Sequence, residues 1–210
     1  MPVIESERAS AFRAELLRRV GMLGHVPDAD TEARLEQAAK RCAAVVKPRR
    51  IYAFFPLEWR ADGVRVCGTP LCLTGQSIAR HLDGAEHCAL MAVTLGMQAE
   101  REQRTLDASG RLTEAVLFDA ACSAYIEIAA DDCQNELTEA AAGRGLRAGG
   151  RFSPGYGDLP LQVQGALLAA LDTPRRLGLT LTDSLLMLPR KSITAIVPLF
   201  PMDEPAKTEE

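Results

Sequence analysis

The chain has 210 residues, 47% of them hydrophobic and 25% charged, with a net charge of −4. That length and balance suit a globular protein with a substantial core, in one large domain or two small ones. The acidic balance argues against nonspecific nucleic-acid binding, and 5% aromatics with one tryptophan, Trp59, argue against a base-stacking platform. The six cysteines (Cys42, Cys67, Cys72, Cys88, Cys122 and Cys133) form no CxxC pair and no zinc-like Cys/His spacing, so they read as buried, reduced thiols. The first residues lack a basic-then-apolar leader pattern, and no apolar run is long enough for a membrane span. The expectation is a soluble, cytoplasmic protein with no membrane or nucleic-acid partner.

Residues 5–20 read as a helix with Phe12, Leu16, Leu17 and Val20 near one face. Gly21, Gly24 and Pro27 end it. Asp28 or Asp30 then caps a second helix that runs to Lys47, with Leu35, Ala38, Cys42 and Val45 at helical spacing and Pro48 as its stop. From Arg50 the pattern turns to strands. Residues 50–57, 59–67 and 70–73 form an antiparallel meander with turns at Asp62-Gly63 and Gly68-Thr69. A short helix opens at Thr74–Ser77 and closes at Asp83-Gly84. Cys88–Thr94 is an apolar run, read as a central strand. Thr94-Leu95-Gly96 before the helix 98–106 reads either as an anion-binding turn or as a tight packing turn.

Leu112 to Ala142 is the longest helical pattern. Small residues (Ala115, Ala120, Ala121, Ser123, Ala124) crowd one side. Asp119, Ser123 and Glu127 recur at i, i+4, i+8 and share a face, which is either solvated or functional. A Gly/Arg-rich connector, residues 143–151, follows. The segment Arg151–Pro160 holds two prolines and two glycines in ten residues, which forbids a helix or a central strand. It reads either as a surface connector or as a binding loop. Arginine brings a fork of donors for a carboxylate or phosphate, glycine allows close approach, and tyrosine adds a flat face with a polar tip. Asp158 and Pro160 then look like the cap and first residue of a helix carrying Leu161, Val163, Leu167 and Leu171. Residues 177–182 and 193–197 read as strands, with Pro189–Ser192 turning into the second. The expected class is α+β: a single domain, a twisted antiparallel sheet with flanking helices. Within it, 1–47 is an N-terminal helical segment, 48–200 the main body and 201–210 a disordered tail.

Several of these residues carry a resemblance. Arg151-Phe152-Ser153-Pro154-Gly155-Tyr156, then Pro160, Leu177-Gly178, Leu181-Thr182-Asp183-Ser184, Met187, Pro189 and Ser192, resemble the S-adenosylmethionine-binding activation domain of cobalamin-dependent methionine synthase. Asp119–Glu127 fits the family's small-residue helix with its acidic position, and Leu90–Gly96 resembles a segment of its free-standing relatives. The likeness covers residues 45–197. It implies a free-standing activation protein that binds S-adenosylmethionine and supports reductive remethylation of cob(II)alamin on a separate methionine synthase or corrinoid protein. It also implies a methyltransferase component that takes its electron from flavodoxin or ferredoxin. The alternative is a non-catalytic S-adenosylmethionine-binding adaptor or sensor for a corrinoid protein. A conventional methyltransferase lacks support, because no Gly-rich turn follows a first strand with an acidic residue at the next strand's end.

The resemblance assigns Arg151 to the methionine carboxylate. It gives Ser153, Pro154 and Gly155 to the ligand-contacting loop, Tyr156 to the sulfonium and the reacting end, and Glu127 to the ligand's cationic end. No metal ligands are implied, and cobalamin would be carried by the partner, since no D-x-H-x-x-G motif is present. His25, His81 and His87 read as surface or packing residues. Two family features have no match: an acidic residue near the domain's start, and a second tyrosine after the M-x-P segment. Their absence implies a weaker site, or one completed by the partner.

Overall fold

In a computed structural model, the structure describes residues 6–202. The class is α+β. Six strands form one sheet in the order β3-β2-β1-β4-β8-β5, from β1 (Arg49–Arg60), β2 (Gly63–Val66), β3 (Cys72–Leu73), β4 (His87–Thr94), β5 (Leu146–Ala148) and β8 (Ser192–Pro201). The pairs β1·β2, β2·β3 and β5·β8 run antiparallel, and β6 (Thr180–Leu181) and β7 (Met187–Leu188) form a small antiparallel pair of their own. Two compact units share the chain. The first holds the residues up to Arg50, Val93–Asp132 and Arg175–Ile193; the second holds Ile51–Ala92, Cys133–Pro174 and the residues from Thr194.

The first unit is mainly helical. It contains α1 (Ser6–Arg19), α2 (Ala29–Val45), α4 (Met97–Ala108) and the greater part of α5 (Leu112–Ala142). Asp28 caps α2: its Oδ1 accepts from Thr31 N at 2.8 Å, which satisfies one of the helix's orphan amides. Leu35, Ala38 and Cys42 are the buried face of α2, and extended backbone at Val46 ahead of Pro48 stops it. On α5, Ala120, Ala121 and Cys122 are buried at consecutive positions, and Ala124 and Ile126 are enclosed as well. Such a helix is packed on several sides, which only small residues permit. Phe12 of α1 meets Tyr125 of α5 edge-on, with ring centroids 6.1 Å apart.

The second unit holds most of the sheet, with α3 (Gln76–Leu82) and α6 (Val163–Ala170). From Cys88 to Val93 every side chain is fully buried, as an interior strand demands. Burying each large member of that run contributes about 1.5–3 kcal/mol. Strand β2 alternates, with Val64 and Val66 buried and Arg65 exposed. Gly63 is required where β2 begins: a Cβ there would stand 2.6 Å from the Leu73 carbonyl oxygen.

Several sequence expectations change. Trp59 belongs to β1 rather than to the next strand: Trp59 pairs with Val64 across a turn at Ala61-Asp62. Pro56 does not break β1, because its carbonyl accepts from Cys67 N at 3.0 Å while the neighbouring Leu57 N finds Glu86 O at 2.8 Å. The expected connector 143–151 contains strand β5, whose Leu146, Arg147 and Ala148 pair with Pro201, Phe200 and Leu199. The expected strand 177–182 contracts to β6, while the last strand lengthens to Ser192–Pro201. Pro201 closes β8 and Met202 N donates to Gly145 O; residues 203–210, expected to be a disordered tail, lie outside the described residues. A further short helix, α7 (Thr173–Leu177), precedes β6.

Candidate functional site

The loop Arg151–Pro160 lies in the second unit and is anchored on three sides. Phe152 and Ile196 of β8 exchange both backbone hydrogen bonds, at 2.9 and 2.8 Å, so the loop enters as a one-residue extension of the sheet. The Ser153 hydroxyl donates to Thr194 O at 2.7 Å. Pro154 and Leu159 are buried beneath the loop. Beside its entry, the His81 ring lies 5.1 Å from the Phe152 ring and its Nε2 is 3.0 Å from Gly150 O. A carbonyl oxygen only accepts, so that nitrogen carries the proton.

Asp158 supplies the third anchor and corrects the sequence reading. It does not cap the helix that follows. That helix begins at Val163, and the Asp158 carboxylate caps α3 instead, accepting from Gln76 N at 2.7 Å and Ser77 N at 2.9 Å. The α3 N-cap position is Gly75, with φ 125°, which has no side chain to do this itself. A Cβ on Gly75 would lie 2.6 Å from Asp158 Oδ1, so the glycine also makes room for the cap. The two amides hold the Asp158 carboxyl below the usual carboxylate range.

The loop turns three of its own amides inward. Gly155 N donates to Leu159 O, Tyr156 N to Ser153 O and Leu159 N to Tyr156 O. Gly155 (φ 86°) and Gly157 (φ 55°) take the left-handed backbone that this reversal needs. The carbonyls of Gly155 and Gly157 accept no backbone hydrogen bond among the described residues. A phosphate cradle needs several amides pointing outward, and these three are spent within the loop. It offers carbonyl oxygens, the half-buried Arg151 at one end and the Tyr156 side chain, 69% exposed, at its crown. That set suits a ligand with one anionic end and one cationic centre.

The structure thus brings Arg151, Ser153, Pro154, Gly155 and Tyr156 together in one ordered loop. Glu127 lies on α5 in the first unit, where its Oε1 accepts from Arg19 Nη2 at 2.9 Å. The other members of its stripe are also bonded: Asp119 pairs with Lys191 at 2.8 Å, and the Lys191 ammonium donates to the Ser123 hydroxyl at 2.7 Å. Nothing local in the sequence points to Arg19 or Lys191 as partners, since both are distant in the chain. Thr182 and Ser184 build the tight turn between β6 and β7, with the Thr182 hydroxyl 2.9 Å from that of Ser184 and accepting from Leu186 N at 3.1 Å. Ser192 donates to Pro189 O at 2.7 Å and lies 2.8 Å from the Thr94 hydroxyl. Thr94 in turn accepts from Gly96 N at 3.2 Å, so Thr94-Leu95-Gly96 is a packing turn.

No group of three or more His, Cys, Asp or Glu side chains among the described residues is placed to hold a metal ion. No disulfide joins the cysteines: Cys42 and Cys122 are buried with their sulfurs 3.5 Å apart, and Cys67 and Cys72 are half-buried. The hydrogen bond with Cys122, together with burial, pushes the Cys42 thiol up, and burial pushes Cys88 up to about 12. Among the described residues no helix is long and apolar enough to cross a membrane.

No protein-family model matches the sequence, and no curated protein does. Among solved structures, the crystal structure of the MetH reactivation domain bound to AdoHcy is similar, with a TM-score of 0.70 at 15% sequence identity, over 95% of this chain and 77% of that one. The antiparallel sheet with flanking helices expected from the sequence is the observed architecture, and the chain has the fold of the MetH reactivation domain.

Proposed function

We propose that this protein binds S-adenosylmethionine at the Arg151–Tyr156 loop and supports reductive remethylation of cob(II)alamin carried by a separate corrinoid protein such as methionine synthase. The observation that carries the reading is the loop's polarity. Three of its amides are spent internally, and it presents carbonyls, an exposed tyrosine and one arginine. S-adenosylmethionine has a carboxylate at one end and a sulfonium at its centre, which is the pattern such a loop would read. The fold shared with a reactivation domain that binds AdoHcy supports the same ligand class.

Bound S-adenosylmethionine would supply a methyl group on a positively charged sulfur and leave as S-adenosylhomocysteine once that methyl is taken by the partner's reduced cobalamin. The chain's own residues have narrower tasks. Arg151 holds the carboxylate in a two-point, charge-assisted hydrogen bond. Tyr156 lays the electron-rich face of its ring against the sulfonium and orients it. Phe152 and Ser153 fix the loop to β8 and Pro154 is buried, so the ligand meets a preformed surface rather than one it must order. Glu127 is proposed to help bind a cationic group, in exchange for its present pairing with Arg19. The electron would come from a flavodoxin or ferredoxin.

The test mixes the protein with S-adenosylmethionine, a cob(II)alamin-bearing methionine synthase fragment that lacks its own activation domain, and reduced flavodoxin. Growth of the methylcobalamin visible spectrum, dependent on this protein, is the expected result. S-adenosylmethionine binding with no methylcobalamin would favour the adaptor reading; no binding at all would refute both.

A further inference from the structure

Two buried thiols of the first unit are already neighbours. Cys42, in the last turn of α2, and Cys122, on α5, are separated by 80 positions in the chain, yet their sulfurs lie 3.5 Å apart. A disulfide bond is about 2.0 Å long, so the sulfurs need to close by only about 1.5 Å. A turn of one side chain, or a small shift at the end of α2, covers that distance.

Cys122 also has a way in from solvent. It lines a cavity of about 20 Å³ with Gln103, Phe118, Asp119, Arg190 and Lys191. That volume admits one water-sized molecule and little more. Arg190 is exposed and the Asp119 side chain is 49% exposed, so the cavity opens on the surface. Cys42 does not line it. The walls suit a guest that both donates and accepts hydrogen bonds. Gln103 Oε1 is buried with no partner among the described residues. The Lys191 ammonium has three donors, of which Asp119 takes one at 2.8 Å and Ser123 another at 2.7 Å. Hydrogen peroxide is little larger than water and has both kinds of group.

We propose that Cys122 and Cys42 form a peroxide-reactive pair, in which Cys122 meets hydrogen peroxide in this cavity and Cys42 closes the product as a disulfide. In the first step the Cys122 sulfur attacks one peroxide oxygen. The S–O bond forms, the O–O bond breaks, and the departing hydroxide takes the thiol proton and leaves as water. In the second step the Cys42 sulfur attacks the Cys122 sulfenic acid. The S–S bond forms, the S–O bond breaks, and the Cys42 proton leaves with the hydroxide as a second water. Two thiols lose two electrons in all, and one peroxide becomes two waters. The hydrogen bond with Cys122, together with burial, pushes the Cys42 thiol up, so Cys42 keeps its proton until the second step. The bond ties α2 to α5, and a small dithiol releases it. Both cysteines belong to the first unit, and the inference stands whether or not the Arg151–Tyr156 loop binds S-adenosylmethionine.

The experiment caps Cys67 and Cys72 of the folded full chain with iodoacetamide, which is too bulky for the cavity, and then adds hydrogen peroxide. Mass spectrometry of unreduced peptides should show Cys42 linked to Cys122, and dithiothreitol should undo the link. With tert-butyl hydroperoxide, also too bulky, linking should be about tenfold slower or more, once each rate is divided by that of N-acetylcysteine with the same oxidant. In C42S, Cys122 should proceed to the sulfinic acid, and in C122S, Cys42 should stay unmodified. No linked peptide after an exposure that fully oxidises N-acetylcysteine would overturn the proposal. So would equal normalised rates with the two hydroperoxides, or oxidation of Cys42 in folded C122S. The comparison of hydroperoxides uses the wild type alone, so it decides the matter even if a serine variant does not fold.

Discussion

Replacing Gly157 with alanine tests whether the loop's shape depends on its seat against α3. At φ 55° the residue is in the left-handed region, where a Cβ costs about 1–2 kcal/mol. Space is also short: an ideal Cβ would lie 2.8 Å from Ser77 Oγ and 2.9 Å from Ser77 Cβ. The hydroxyl can rotate away, but the Cβ is fixed to backbone that Asp158 holds through Ser77 N at 2.9 Å. Overpacking of that kind adds about 1–3 kcal/mol. A total near 2–5 kcal/mol should lower Tm by roughly 4–20 °C in a chain of this size. The S77G substitution removes both short contacts and leaves the backbone cost. A double-mutant cycle by thermal unfolding should therefore return about 1 kcal/mol or more of favourable coupling in G157A/S77G. If G157A melts within a degree or two of wild type, or if the two substitutions are strictly additive, the loop does not rest on Ser77 as described.

Three further outcomes follow from the same contacts. Asp158 has its folded-state carboxyl depressed by the Gln76 and Ser77 amides, so its capping contribution is present above the ordinary carboxylate range and is lost as pH falls through the lowered value. The protection factors of those two amides, with the intrinsic exchange rate divided out, should fall in acid, and in D158N this acid-dependent loss of protection should vanish. Cys67 and Cys72 should react with an alkylating agent in the native protein, whereas Cys42, Cys88 and Cys122 should react only on unfolding, as mass spectrometry of peptides would show. Substituting Glu127→Gln breaks a part-exposed pair with Arg19 and should cost stability no more than about 1 kcal/mol. If Glu127 contacts ligand, the same variant should weaken S-adenosylmethionine binding; unchanged affinity removes it from the site.

What could be read from the chain alone was set by how local its cause is. Helices α2 and α5 are legible because cap, periodicity and stop lie within the element: Asp28 and Pro48 bracket one, and the run of small residues marks the other. The loop is legible as irregular backbone because proline and glycine act on their own residues. Its anchoring is not, because Asp158 finds its amides 82 and 81 residues away. Strand β5 was hidden for a similar reason: three residues among glycines and arginines become a strand only because β8 offers an edge. Glu127 shows the limit for a site. Its place on a helical stripe is periodic and visible, but the arginine that now holds it lies 108 residues distant.

Isothermal titration of the purified chain with S-adenosylmethionine, in wild type and R151A, tests the central claim most directly. Saturable one-site binding is predicted for the wild type. In R151A, with an unchanged circular dichroism spectrum, affinity should fall by about 1.5–3 kcal/mol, the scale of a charge-assisted hydrogen bond. Equal affinity in both proteins, or no binding in a folded wild type, would contradict the account.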